Sequence, residues 1–118
     1  MRDHTKLKAF ELADDIAVLI YRITMKFPKE EIYGITSQMR RAAVSVPSNI
    51  VEGCARSSQV EYSRFLEMAL GSLRELNYQF SLSFRLGFIK DKDDNISNCQ
   101  AKLNEALKIL AALYITMR

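Results

Sequence analysis

From Ser58 to Gly87 the chain carries apolar residues at unbroken helical spacing, and this most limits what it can fold into. Tyr62, Phe65, Leu66, Ala69, Leu73, Leu76 and Phe80 recur in steps of three and four, which puts them on one stripe with heptad-like spacing. Ser58-Gln59-Val60-Glu61 fits a capping box at its start. Gly87 supplies the stop. The segment predicts a helix of about 28 residues, roughly 42 Å long at ~1.5 Å per residue. Gly71 lies inside it, at a cost of about 1 kcal/mol in helix propensity, and is expected to permit close approach of a neighbouring helix.

Three further segments read the same way. Leu7, Phe10, Ala13, Ile16, Leu19 or Ile20, Ile23 and Phe27 predict a helix from Lys6 to Phe27, ended by Pro28. A second helix is expected from Thr36 or Ser37, either of which can cap it, to Cys54 or Ala55. Pro47 sits in its interior and withholds the N–H that would bond the carbonyl of Ala43, so a kink near Ala43–Val46 is expected, with Ser48 and Asn49 close by. The last helix opens after Asp91, Asp93 and Asp94, which suit a positive helix N-terminus. It carries Ile96, Cys99, Leu103, Leu107, Leu110, Tyr114 and Met117 inward. With only 4 glycines and 2 prolines in 118 residues, long helices with short connections are expected. The predicted fold is all-α, an antiparallel up-down-up-down four-helix bundle, as a single domain over residues 1–118.

The same residues exclude much chemistry. The one histidine, His4, falls in an N-terminus expected to fray, so no His-Glu metal pair is available and no metal site is expected. Cys54 and Cys99 occupy apolar helical positions, as buried free thiols do. They have no histidine beside them to activate a nucleophile. Glycine loops that cradle phosphates are absent. The expectation is a protein that is not an enzyme, has no cofactor and takes no small-molecule substrate. No apolar run reaches the roughly 18 residues of a membrane span. Asp3, Glu11, Asp14 and Asp15 are wrong for a targeting peptide. No membrane partner and a cytoplasmic location are expected.

The net charge of +3 is concentrated in the middle of the chain. Residues 34–90 hold Arg40, Arg41, Arg56, Arg64, Arg74, Arg85 and Lys90 against Glu52, Glu61, Glu67 and Glu75. Arginine suits bidentate contact with phosphate or carboxylate, which makes the six arginines candidate nucleic-acid-binding residues. Within the chain, Glu52, Glu67 and Glu75 are expected to pair with Arg56, Arg64 and Arg74. The second helix carries a polar stripe of Ser37, Arg41, Ser45, Ser48, Glu52 and Arg56. Ser37, Ser45, Pro47, Asn49, Glu52 and Gly71 are candidate interface or structural residues. Tyr33, Tyr62 and Tyr78 suit an interface as well, each with an apolar body and a polar tip. Two readings stand side by side: a phosphate-binding face, or a seam between subunits or partners.

Three blocks together carry a resemblance: Phe27-Pro28 with Glu31, Tyr33 and Gly34; SQMRRAAVSVPSNIVEG, Ser37 to Gly53, with Arg56 three residues on; and EYSRFLEMALGSLREL, Glu61 to Leu76. They resemble the bacterial four-helix-bundle family founded on the 23S rRNA intervening-sequence proteins, over roughly Leu7 to Tyr114. Val51 and Cys54 depart from it by standing where small residues such as alanine are expected. The resemblance implies a homo-oligomer, a ring-like homopentamer, with RNA or the ribosome as partner.

Overall fold

The computed structural model describes residues 2–90 and 93–118, so Asp91 of the acidic cluster lies outside the described residues. Four helices follow in order: α1 Lys8–Thr24, α2 Ile35–Cys54, α3 Gln59–Arg85 and α4 Asp94–Met117. Each packs on two others, α1 on α2 and α4, α3 on α2 and α4, which closes the antiparallel four-helix bundle. The long axis of 43 Å is set by α3, whose 27 residues span about 40 Å.

The α3 signals act as their residue types require. The Glu61 N–H donates to Ser58 Oγ at 3.1 Å, and the Ser58 hydroxyl in turn donates to Glu61 Oε1 at 3.3 Å. At the far end Gly87 turns to φ +81°, a conformation that costs an L side chain roughly 1–2 kcal/mol. Its N–H bonds the Phe84 carbonyl at 3.0 Å and the Phe88 N–H bonds that of Ser83 at 2.9 Å. That pattern is a Schellman stop. Asp93 caps α4 by accepting from Asn95 N–H at 2.9 Å, and Lys26 donates to its other oxygen at 3.0 Å. The Asn95 bond, seconded by Lys26, holds the Asp93 carboxyl below its ordinary value.

Other ends differ from expectation. α1 ends at Thr24, before Phe27, because the residue preceding a proline is pushed out of the helical region. Tighter bonds from Lys26 N to Ile23 O and Phe27 N to Thr24 O close the turn and bury Phe27. Neither Thr36 nor Ser37 caps α2. Gly34 is its N-cap with no side-chain bond of its own, and Glu31 Oε1 instead receives the Ile35 N–H at 3.4 Å. Thr36 is buried, with its hydroxyl unpartnered. The segment around His4, expected to fray, takes a defined turn. Asp3 caps a short 3-10 turn at His4–Lys6, and the His4 ring meets Phe10 edge-on at 4.7 Å. α2 runs through Pro47 as one element, and the amide of Asn49 serves the carbonyl of Ser45 at 2.8 Å rather than that of Ala43.

The core joins all four stripes: Leu12, Ile16 and Ile20 from α1, Met39 and Ile50 from α2, Leu66, Leu73, Leu76 and Phe80 from α3, Leu103 and Leu110 from α4. Tyr62 also belongs there, against the expectation of an interface role. It is buried beside Cys54, and burial raises the pKa of both groups. Both cysteines are buried free thiols. No helix among the described residues is long and apolar enough to cross a membrane.

The glycine of close approach is Gly53, not Gly71. A Cβ on Gly53 would lie 2.8 Å from Phe65 Cβ and 3.3 Å from Tyr62 Cδ1, whereas one on Gly71 meets nothing within 4 Å. Gly71 is exposed on the outer surface of α3. Opposite effects are therefore expected in urea unfolding. Gly71→Ala should stabilise by about 0.5–1 kcal/mol, and Gly53→Ala should destabilise by about 1–3 kcal/mol through overpacking.

Burial pushes the Cys99 thiol up to about 12 from its ordinary 9.0. A raised folded value means the unfolded thiol ionises first, so stability is intact below the ordinary value and lost as pH climbs towards the folded one. The urea midpoint should fall as pH rises from about 9 towards 12. It should fall less steeply in Cys99→Ala.

Candidate nucleic-acid interface

The six candidate arginines do not form one patch. Arg40 is turned against α1. Its Nε donates to Thr24 Oγ1 at 2.8 Å, an Nη reaches the Tyr21 carbonyl at 3.4 Å, and its guanidinium lies 4.7 Å from the Tyr21 ring centroid. Thr24 is buried and passes its own proton to the Ile20 carbonyl at 2.7 Å. Arg40 thus ties the start of α2 to the end of α1.

Arg56 is also engaged inside the chain. It pairs with Glu52 at 3.0 Å and lies 4.8 Å from the Phe65 ring centroid. Its Nε is buried without a partner. Its carbonyl receives Arg2 Nη1 at 3.2 Å, while the Arg2 guanidinium sits 4.0 Å from the Tyr62 ring centroid. Arg2 straps the N-terminal segment across the α2–α3 junction. No sequence pattern pointed to it, because the contact spans the chain.

Arg41, Arg64, Arg74 and Arg85 remain exposed, and none makes an ion pair among the described residues. The last three lie along the solvent side of α3. Steps of ten and eleven residues set them roughly 15 Å and 16 Å apart along its axis. The expected partners of Arg64 and Arg74 are placed otherwise. Glu67 accepts from the Tyr114 hydroxyl of α4 at 3.0 Å, which raises the Tyr114 pKa. Glu75 makes no ion pair among the described residues.

The polar stripe of α2 divides in a similar way. Ser37, Arg41, Ser48 and Glu52 face solvent. Ser45 turns to α3, where its hydroxyl meets that of Ser72 at 2.9 Å and accepts from Asn49 Nδ2 at 3.0 Å. Since Ser45 Oγ already accepts from the amide, its own proton is free for Ser72. Pro47 is half-buried within the helix. Val44 and Val51 stand exposed among the serines, at 42% and 38%. Tyr33 is 94% exposed at the α1–α2 elbow. Among the described residues no group of three or more His, Cys, Asp or Glu gathers to hold a metal ion.

A bundle of this form, with that α2 block packed on that α3 stripe, matches a known family model. Residues 5–112 match the model described as 23S rRNA-intervening sequence protein. The chain belongs to this family. The match spans α1 to α3 and most of α4, so the 23S rRNA-intervening sequence protein family shares the framework on which these arginines are set. No curated protein matches the chain.

Within this family member the neighbours Arg40 and Arg41 have different tasks. Arg40→Ala should lower stability by about 1–2 kcal/mol, through the lost charged hydrogen bond and ring contact. Arg41→Ala should stay within about 0.5 kcal/mol of the parent, as surface changes do. Urea denaturation of the two variants side by side tests the division.

Proposed function

We propose that this protein is a non-enzymatic homo-oligomer that binds RNA through phosphate contacts made by Arg41, Arg64, Arg74 and Arg85. The observation that carries the reading is the exposure of these four guanidinium groups without ion-pair partners among the described residues. An arginine whose donors face water is free to take a phosphate bidentately. The family description, which names 23S rRNA, supports RNA as the polyanion. Arg40 and Arg56 are structural residues, since their guanidinium groups are committed within the chain.

One subunit with a net charge of +3 binds a polyanion weakly. Repeating the α3 row around an assembly, a pentamer in the reading taken here, raises avidity by about 10²–10⁴. Contacts of this kind follow the nucleic-acid backbone, respond steeply to salt and discriminate sequence poorly.

A second reading draws on Val44 and Val51. Solvated helix faces are ordinarily charged and polar, and the outer side of α2 sets two exposed valines among Ser37, Arg41, Ser48 and Glu52. In that reading the α2 face packs on another subunit or a protein partner, and the protein acts as a structural or adaptor component.

Fluorescence anisotropy with labelled structured RNA and duplex DNA, from about 50 to 200 mM salt, tests the first reading. Binding should weaken linearly on a log–log plot. Arg64→Ala with Arg74→Ala should lower the slope by roughly 1.5 for each subunit in contact with the RNA while leaving the oligomeric mass unchanged. A variant that loses the oligomer instead would move the arginines to a seam. An absence of binding at low salt would leave the adaptor reading.

A further inference from the structure

We infer that the groove beside Tyr78 is a stacking site for one unpaired nucleobase of an RNA strand. The inference rests on the RNA-binding reading above and adds a specificity to it.

Tyr78 is 59% exposed, much for a ring on a packed helix. It borders a groove of about 560 Å³ between α3 and α4, lined by Arg74, Asn77, Tyr78, Ser81 and Leu107. Leu107 is half-buried against the core and gives the groove an apolar floor. The side chains of Asn77 and Ser81 make no hydrogen bond among the described residues, so an amide and a hydroxyl are available at the rim. Arg74 stands one helical turn before Tyr78 on α3. Arg85 stands two turns after it, with its guanidinium 5.9 Å from the Tyr78 ring centroid. Both arginines are free of ion pairs among the described residues.

The elements of single-strand recognition are together here. An exposed aromatic face stacks on a base whatever its identity. An amide and a hydroxyl can bond the exposed edge of that base. Arginines on either side take the flanking phosphates. A base held in a duplex keeps its faces covered by its neighbours, so the groove favours loops, bulges and ends. The phosphate row gives general affinity, and the groove selects where on a structured RNA the protein settles.

The test uses an RNA hairpin with 2-aminopurine at an unpaired loop position and a blunt RNA duplex of the same length. The full-length protein should bind the hairpin more tightly than the duplex and change the 2-aminopurine fluorescence. Tyr78→Ala should weaken hairpin binding roughly 5- to 100-fold, the worth of one stacked base. It should also abolish the fluorescence change and leave duplex binding unaltered. Tyr78→Phe keeps the ring and should behave as the parent. If Tyr78→Ala keeps its hairpin preference, the stacking site is overturned while the phosphate reading stands. Should the unsubstituted protein bind neither RNA, both fail. A changed oligomeric mass in Tyr78→Ala, measured by light scattering, would assign the ring to a subunit contact and overturn the site as well.

Discussion

The bundle is organised around the close approach of α2 and α3 at Gly53. With no side chain there, the backbone of α2 lies against Phe65 and Tyr62, and Cys54 and Tyr62 are buried together beside it. Further along the same seam Ser45 and Ser72 meet through their hydroxyls, with Asn49 adding a second donor. Small residues let the helices come close, and the Ser45–Ser72–Asn49 bonds satisfy the polar groups at that point of the seam. The large residues of α3, Leu66, Leu73, Leu76 and Phe80, are then left to fill the space towards α1 and α4.

This packing decides what each surface residue can do. An arginine at a helix contact is held by the fold, and one on a solvent face is available to a ligand. Arg40 and Arg41 are adjacent, and about 100° of helical rotation separates them. That turn points one at Thr24 and Tyr21 and the other at water. Charge concentrated in residues 34–90 therefore serves two ends, fastening α2 to its neighbours and leaving a row of cations on α3.

Features governed by near neighbours in the chain were legible in the sequence. The Ser58 cap, the Gly87 stop and the four apolar stripes depend on residues a turn or two apart, and the stripes in turn fix the fold class. Features made by contact between distant segments were not. Gly53 and Gly71 look alike in a helical pattern, and only the position of Phe65 tells them apart. Tyr62 and Tyr78 both read as amphipathic rings, yet one is sealed beside Cys54 and the other stands over a groove. The α2 cap failed for a related reason. Thr36 has the right side chain, but the core claims that position and Glu31 reaches the helix end first.

The strap made by Arg2 joins the first described residue to the α2–α3 turn through the carbonyl of Arg56. At the other terminus, Gln59 Nε2 donates to the carbonyl of Met117 at 3.1 Å. Arg2 and Met117 are thus both moored at one pole of the bundle, and the elbow bearing Ile32 and Tyr33 lies at the opposite pole. A tag or dye joined to either end crowds a single pole. A surface tether through either end attaches at that pole, the one farthest from the elbow.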